Sequence, residues 1–239
     1  MKSRQPQVIF EDNHCLVVNK PAGWLTMGDR TGEISLCDWC RDYLREKYQK
    51  PGAVFLGVVH RLDRPVSGVV LLARTSKAAS RLCAQFRERT VSKCYWAVVE
   101  GTPPLQGVLE DLLVKDRRQN RVRVRGTTGQ VARLTFRRVA NDGKFSLLAI
   151  ELITGRSHQI RVQLGSRHWP IVGDHKYGSR IAFQPGELAL HARELGWGHP
   201  TRPEWICVRA PVPVRWRQFS FVSKWVTEEP EVSIRPSAG

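Results

Sequence analysis

The sequence predicts an α+β fold, with many short strands and few helices in no strict alternation. Three observations lead there. Short apolar and β-branched runs recur along the chain, as in GVVLLA at 68–73. Only two segments carry a clean helical stripe, Ser35 to Tyr48 and Ser76 to Glu88. No shift in composition marks a linker, so one domain over 1–227 is expected, with a loose tail over 228–239. With 239 residues, 41% of them hydrophobic, the chain can bury roughly 70–75% of its unfolded surface and needs neither disulfide nor metal to fold.

The elements follow in order. Val8 to Phe10 and Leu16 to Asn19 read as short strands broken at Asn13 and His14. Lys20-Pro21-Ala22-Gly23 reads as a turn. In the first helix Leu36, Trp39, Cys40, Tyr43 and Leu44 share one face, Ser35 is the N-cap, and Asp38 sits in the first turn. Phe55 to Val59 and Gly68 to Ala73 read as buried strands. The second helix is expected to be capped by Ser76 and packed through Leu82, Cys83 and Phe86. Tyr95 to Val99, Val108 to Val114, Val131 to Val139 and Phe145 to Ile153 read as further strands. His158 to Leu164 starts a short helix, and short strands are expected near Leu188 to Ala192 and Trp205 to Val208.

Charge narrows the partners. Thirty-eight basic residues against 22 acidic ones give a formal net charge of +16. That points to a polyanion, either nucleic acid or an anionic membrane surface. No apolar stretch of signal-peptide length precedes Glu11, no run is long enough to span a bilayer, and no polybasic block adjoins an amphipathic helix. A cytoplasmic protein is therefore expected, with its six cysteines as reduced thiols. Cys37 and Cys40 form a CxxC without a second such pair or a suitably spaced His, so they read as apolar helix residues rather than zinc ligands. No metal is expected.

Chemistry-bearing residues gather in four places. GVVHRLDRPVSG at 57–68 puts Asp63 at a strand end between Arg61 and Arg64. Flanking guanidinium groups favour an ionised carboxylate, so Asp63 is either a nucleophile or base near an anionic substrate, or half of a surface ion pair. TGRSHQIR at 154–161 follows a strongly apolar strand; with Ser157 as the N-cap, Arg156 and Arg161 would flank a helix start facing an anion, or lie on a solvated face. His158 reads there more readily as a locally bonded structural residue than as a proton carrier. In KCYWAV at 93–98, alternation sets Lys93, Tyr95 and Ala97 on one face, suited to stacking on a base or simply to packing. In KDRRQNRVRVR at 115–125, Arg121, Arg123 and Arg125 alternate with valines, a strand suited to phosphates or simply a solvated hairpin; the net charge favours phosphates.

Taken together the chain resembles the RluA family of RNA pseudouridine synthases. The matching motifs are KPAG at 20–23, HRLDRPVSG at 60–68, the KxYxAxVxG pattern at 93–101, GRSHQIR at 155–161, GDHKYG at 173–178 and Leu190-His191-Ala192. They run in the family's order over roughly residues 8–225, and HRLD with GRSHQIR is the most specific pair.

The resemblance implies a long, mostly antiparallel sheet with flanking helices and a central RNA-binding cleft. It implies isomerisation of uridine to pseudouridine in structured RNA, tRNA or 23S rRNA, by a monomer with no obligate protein partner. Asp63 matches the catalytic aspartate, Arg161 the arginine that pairs with it, and Tyr95 the tyrosine that packs on the target base. Arg61 matches an arginine that helps displace the target nucleotide, and Leu190 an apolar residue of the pocket. Arg64, Arg156 and His158, with Lys115, Arg117, Arg118, Arg121, Arg123 and Arg125, are the further residues expected on RNA. Val66 departs from the family's usual Thr and lacks its hydroxyl. The catalytic strands start near Val8, so the family's frequent N-terminal S4-type domain is not expected, and the basic stretch at 115–125 is expected to take over its grip. No cofactor is expected: the isomerisation has no net redox change, and neither a GxGxxG after a strand nor a P-loop is present. The alternative is a non-catalytic RNA-binding or chaperone protein on the same fold. A DNA-binding regulator finds no helix-turn-helix or finger here.

Overall fold

The computed structural model describes residues 5–116, 118–226 and 229–236. Among them are twelve strands and three α-helices, the strand-rich mixture expected. The contacts divide into two compact units, interleaved in sequence. The first unit holds residues 1–91, 193–211 and 228–239; the second holds 92–192 and 212–227.

In the first unit β1 (Gln7–Glu11), β2 (Cys15–Lys20) and β4 (Ser67–Ala73) pair antiparallel, with β3 (Gly57–Val58) on β4. β4 carries the apolar run Gly68–Ala73 behind Ser67, and all seven of its residues are buried. Cys15, Val17, Val69, Leu71 and Ala73 line one face and pack with Ala78 and Leu82 of α2 (Ser76–Glu88). Leu16, Val18, Val70 and Leu72 on the other face are buried as well. Burial of each such side chain contributes about 1.5–3 kcal/mol.

α1 (Leu36–Lys47) has the expected cap: Ser35 and Asp38 form a reciprocal capping box, and Leu36, Cys40 and Leu44 are buried. α2 is capped by Thr75 rather than Ser76, because it is the Thr75 hydroxyl that accepts from the Ala78 amide, at 3.1 Å. The strand expected over 55–59 shrinks to β3. Phe55 is 50% exposed, and Gly57 passes so close to Ala79 that a Cβ there would lie 2.8 Å from it.

β11 (Glu204–Arg209) pairs with the end of β10 (Leu190–Gly198). The tail differs from the expectation: 231–236 form β12, in register with β11 from Glu204↔Pro236 to Arg209↔Glu231. Its side chains are mostly exposed, so what recruits it is the open hydrogen-bonding edge of β11.

In the second unit the strand order is β5 (Ser92–Glu100), β9 (Phe145–Leu152), β8 (Gln130–Asn141), β6 (Gln106–Asp116) and β7 (Arg121–Arg125), each pair antiparallel. α3 (Gln159–Gly165) covers one face, where Val162 packs with Leu113, Val122, Ala132 and Tyr177.

Candidate active site

In the first unit Asp63 sits at the start of a tight turn between β3 and β4. Leu62 and Val66 on either side are 6% and 3% exposed, whereas Asp63 is only half-buried. The apolar neighbours anchor the loop and leave the carboxylate at its rim. Hydrogen bonds to the KPAGWLT segment then hold the loop. The Thr26 hydroxyl donates to the Leu62 carbonyl (2.9 Å) and accepts from the Leu62 amide (3.2 Å). The Gly23 amide donates to the Arg64 carbonyl at 2.8 Å. Gly23 has φ +90°, a conformation that favours glycine.

Lys20 is fully buried, and its ammonium donates to the carbonyls of Trp24 (2.8 Å), Pro21 (3.1 Å) and Arg64 (3.2 Å). Three N–H donors meet three carbonyls, which makes burial of the charge tolerable. The Val66 amide donates to the Asp63 carbonyl at 3.0 Å. The turn is thus closed by backbone, and the Val side chain is packed rather than needed as a donor.

Arg61 is exposed. Arg64, expected on RNA, donates to the Gly23 carbonyl (3.0 Å) and bidentately to Glu33 (3.1 and 2.6 Å). That ion pair is 45% and 50% exposed; such pairs contribute under about 1 kcal/mol, so a phosphate can displace it. His60 accepts from the Leu71 amide through Nε2 (2.9 Å) and stacks on Phe86, so it is a structural residue.

In the second unit Tyr95 lies half-buried on β5 opposite Ile150 of β9. Leu190, 3% exposed, opens β10. The GRSHQIR segment does not start its helix as expected. His158 is the N-cap, in the left-handed region at φ +52°, and makes no side-chain cap. The carboxamide of Gln159 organises the entry instead: its Oε1 accepts from Thr154 Oγ1 (2.7 Å) and the Arg156 amide (3.0 Å), and its Nε2 donates to the Arg133 carbonyl (3.1 Å). Arg156 donates from Nε to the Val131 carbonyl at 3.1 Å. The loop is thereby latched to β8, offsetting a left-handed conformation that costs about 1–2 kcal/mol.

His158 Nδ1 lies 2.7 Å from the Tyr177 hydroxyl, which accepts from the Val122 amide at 2.9 Å. Burial raises the Tyr177 pKa, keeping the phenol protonated beside His158.

Arg161 is buried, and its guanidinium makes a two-pronged pair with Asp174: Nε to Oδ2 at 2.7 Å and Nη2 to Oδ1 at 2.9 Å. Sequence reasoning noticed GDHKYG but assigned Asp174 and Tyr177 no part. Lys20 was likewise read only as a turn residue. The repeated pairing of a charged residue with glycine in KPAG and GDHKYG was the available signal.

β6 and β7 pair antiparallel as a hairpin, with 121–125 as a strand. Lys115, Arg118, Arg121, Arg123 and Arg125 are exposed along it, while Val122 points into the core. Arg117 lies outside the described residues.

Potential metal-ligating side chains come together at one place among the described residues. Asp12, Cys15 and His199 have ligand atoms within 4.8 Å of one another. Asp12 already accepts from the His14 and Cys15 amides, His199 Nε2 and Arg202, and burial pushes the Cys15 thiol up to about 12. Burial also raises Cys37, to about 11, and Cys40, both on the inner face of α1.

A strand-rich fold with few helices, a latched aspartate loop and a buried arginine defines a class. The human RNA pseudouridylate synthase domain containing 4 superposes with a TM-score of 0.74, covering 89% of this chain and 92% of that one at 24% identity, so the fold is that of the pseudouridine synthases. Residues 14–166 match the family described as RNA pseudouridylate synthase. The dual-specificity RNA pseudouridine synthase RluA of Vibrio vulnificus is 36% identical over 208 residues, covering 84% of this chain and 80% of that protein. The ribosomal large subunit pseudouridine synthase C of Vibrio parahaemolyticus is 34% identical over 212 residues, and the match spans 86% of this chain but 65% of that relative's length. The chain belongs to the RluA family of RNA pseudouridine synthases.

Proposed function

We propose that the protein isomerises uridine to pseudouridine in structured RNA, either tRNA or ribosomal RNA, in the cytoplasm. The observation that carries this reading is the half-buried Asp63 carboxylate on a loop held by Lys20, Gly23 and Thr26, in a chain of this family. The names of the relatives, one acting on the ribosomal large subunit and one of dual specificity, support an RNA substrate. Among the described residues no helix is long and apolar enough to cross a membrane.

The reaction balances without a co-reactant. The N1–C1′ bond of the nucleoside breaks, the uracil turns, and a C5–C1′ bond forms; the C5 hydrogen leaves to solvent and N1 takes a proton. Asp63 is the nucleophile that divides this into two easier steps. Arg161 is its cationic partner, and Tyr95 is the platform for the turned base. The target nucleotide must leave its stack, at a cost of a few kcal/mol. Stacking on Tyr95 and phosphate contacts from Arg61 and the β6–β7 hairpin offset that cost.

The test is tritium release from 5-tritiated-uridine RNA prepared from cells lacking the gene. Wild-type protein is expected to release tritium and to restore the missing pseudouridine in a map of total RNA. Asp63→Asn is expected to bind the same RNA and release none. Normal release by Asp63→Asn would remove Asp63 from the mechanism, and no release by the wild type would leave only RNA binding.

A further inference from the structure

Arg161 is long and flexible, yet its side chain is only 8% exposed and its partner Asp174 only 1%. The pair is fork to fork: the Nε–Nη2 edge of the guanidinium is committed to the two oxygens of Asp174. The face of the guanidinium is covered too, with Tyr177 placing its ring centre 5.1 Å from Cζ.

The carboxylate is delivered on a rigid turn. Gly173 has φ +87°, and a Cβ there would lie 2.8 Å from the Glu187 carbonyl oxygen and the Phe183 Cβ. The Asp174 amide donates to the Ile171 carbonyl (2.9 Å), and the Asp174 carbonyl accepts from the amides of Tyr177 (3.0 Å) and Ser179 (3.1 Å). The Tyr177 hydroxyl continues the seat outward, bonded to the Val122 amide of β7 and to His158 beside α3.

We propose that Asp174 is the positioning residue for Arg161, with Tyr177 as the second wall of the same seat. Asp174 sets the plane of the guanidinium and dedicates one edge, so that Arg161 is held in a single orientation. Tyr177 ties that orientation to the strand bearing Arg123 and Arg125, so hairpin and arginine share one anchor. The inference rests on the reading of Arg161 as the partner of the nucleophile. A guanidinium oriented beforehand has no rearrangement left to make in the transition state, so loss of Asp174 acts on turnover rather than on RNA affinity.

The experiment measures tritium release from 5-tritiated-uridine total RNA by wild type, Asp174→Asn, Arg161→Lys and the double variant, each with a thermal melt. Asp174→Asn is expected to lower kcat by between about tenfold and a hundredfold, with KM changed less than about twofold. In the Arg161→Lys background it is expected to cost less than about threefold more, because its effect runs through the arginine. A kcat within about twofold of wild type, or losses that multiply in full, overturns the proposal. Should Asp174→Asn fail to fold, Asp174→Glu keeps the buried charge but shifts the guanidinium; its kcat is expected to fall at least about fivefold, and full turnover overturns the proposal. A wild type without tritium release overturns the proposed function and this inference with it.

Discussion

The ammonium of Lys20 donates to the carbonyl of Arg64 across 44 residues of sequence, at 3.2 Å. Arg64 follows Asp63, so a buried lysine at the end of β2 holds the backbone next to the proposed nucleophile. Lys20→Met keeps much of the volume but strips a donor from three part-buried carbonyls. It is expected to cost about 3 kcal/mol, a fall of roughly 6–12 °C in Tm for a chain of this size. Tritium release below the new Tm is expected to fall as well, because the Asp63 loop loses a tether. A melt and an activity assay on one preparation check both.

The second anchor is electrostatic. Burial disfavours the Glu11 carboxylate, but hydrogen bonds from Lys47, Tyr48 and Tyr43 and the charge of Arg74 outweigh it, and its pKa lies below the usual value. A carboxylate with a depressed folded pKa contributes stability that is present above its unfolded pKa and lost as pH falls through the folded one. Glu11→Gln is therefore expected to lower the urea midpoint clearly at pH 7. The gap to wild type is expected to narrow below about pH 4. Urea titrations at both ends of that range measure it; an unchanged gap would show that charge at Glu11 is not what stabilises the β1–α1 contact.

Arg123 and Arg125 are exposed on β7. Replacing both by Gln is expected to weaken RNA binding by similar factors on different sequences. The slope of log affinity against log salt should become shallower by roughly 1.5–2. The melt should barely move, since Val122 supplies the packing on this strand. An unchanged slope in filter-binding assays would place the phosphate grip elsewhere.

Tyr95→Phe separates two jobs of one side chain. The ring stays as a platform, so RNA affinity is expected to hold. Tritium release is expected to slow if the hydroxyl takes the C5 proton, and Tyr95→Leu to lose affinity as well, by about 1–3 kcal/mol for the lost stack. Equal turnover by Tyr95→Phe and wild type would make the hydroxyl dispensable.

Much of the fold was legible because local pattern and burial agree. The stripe of Leu36, Cys40 and Leu44 behind Ser35 could only be an amphipathic helix with its cap, and GVVLLA could only be buried. Reading failed where a neighbour far along the chain decides. β12 is mostly exposed and ends in Pro236, and it is a strand only because β11 offers an edge. The start of α3 moved because Gln159, not Ser157, organises the loop against β8.

The sequence by itself determined the α+β class, most strand positions, the basic hairpin and the motifs that carry Asp63, Tyr95 and Arg161. Periodicity, charge and motif spacing are local and survive without coordinates. Only the tertiary structure decided how those groups are held. Lys20 lies under the carbonyl of Arg64, and Asp174 occupies one edge of Arg161. Both are buried charges, which water would claim in an unfolded chain. They become partners only once folding removes the solvent and leaves each ion a single set of polar atoms to meet.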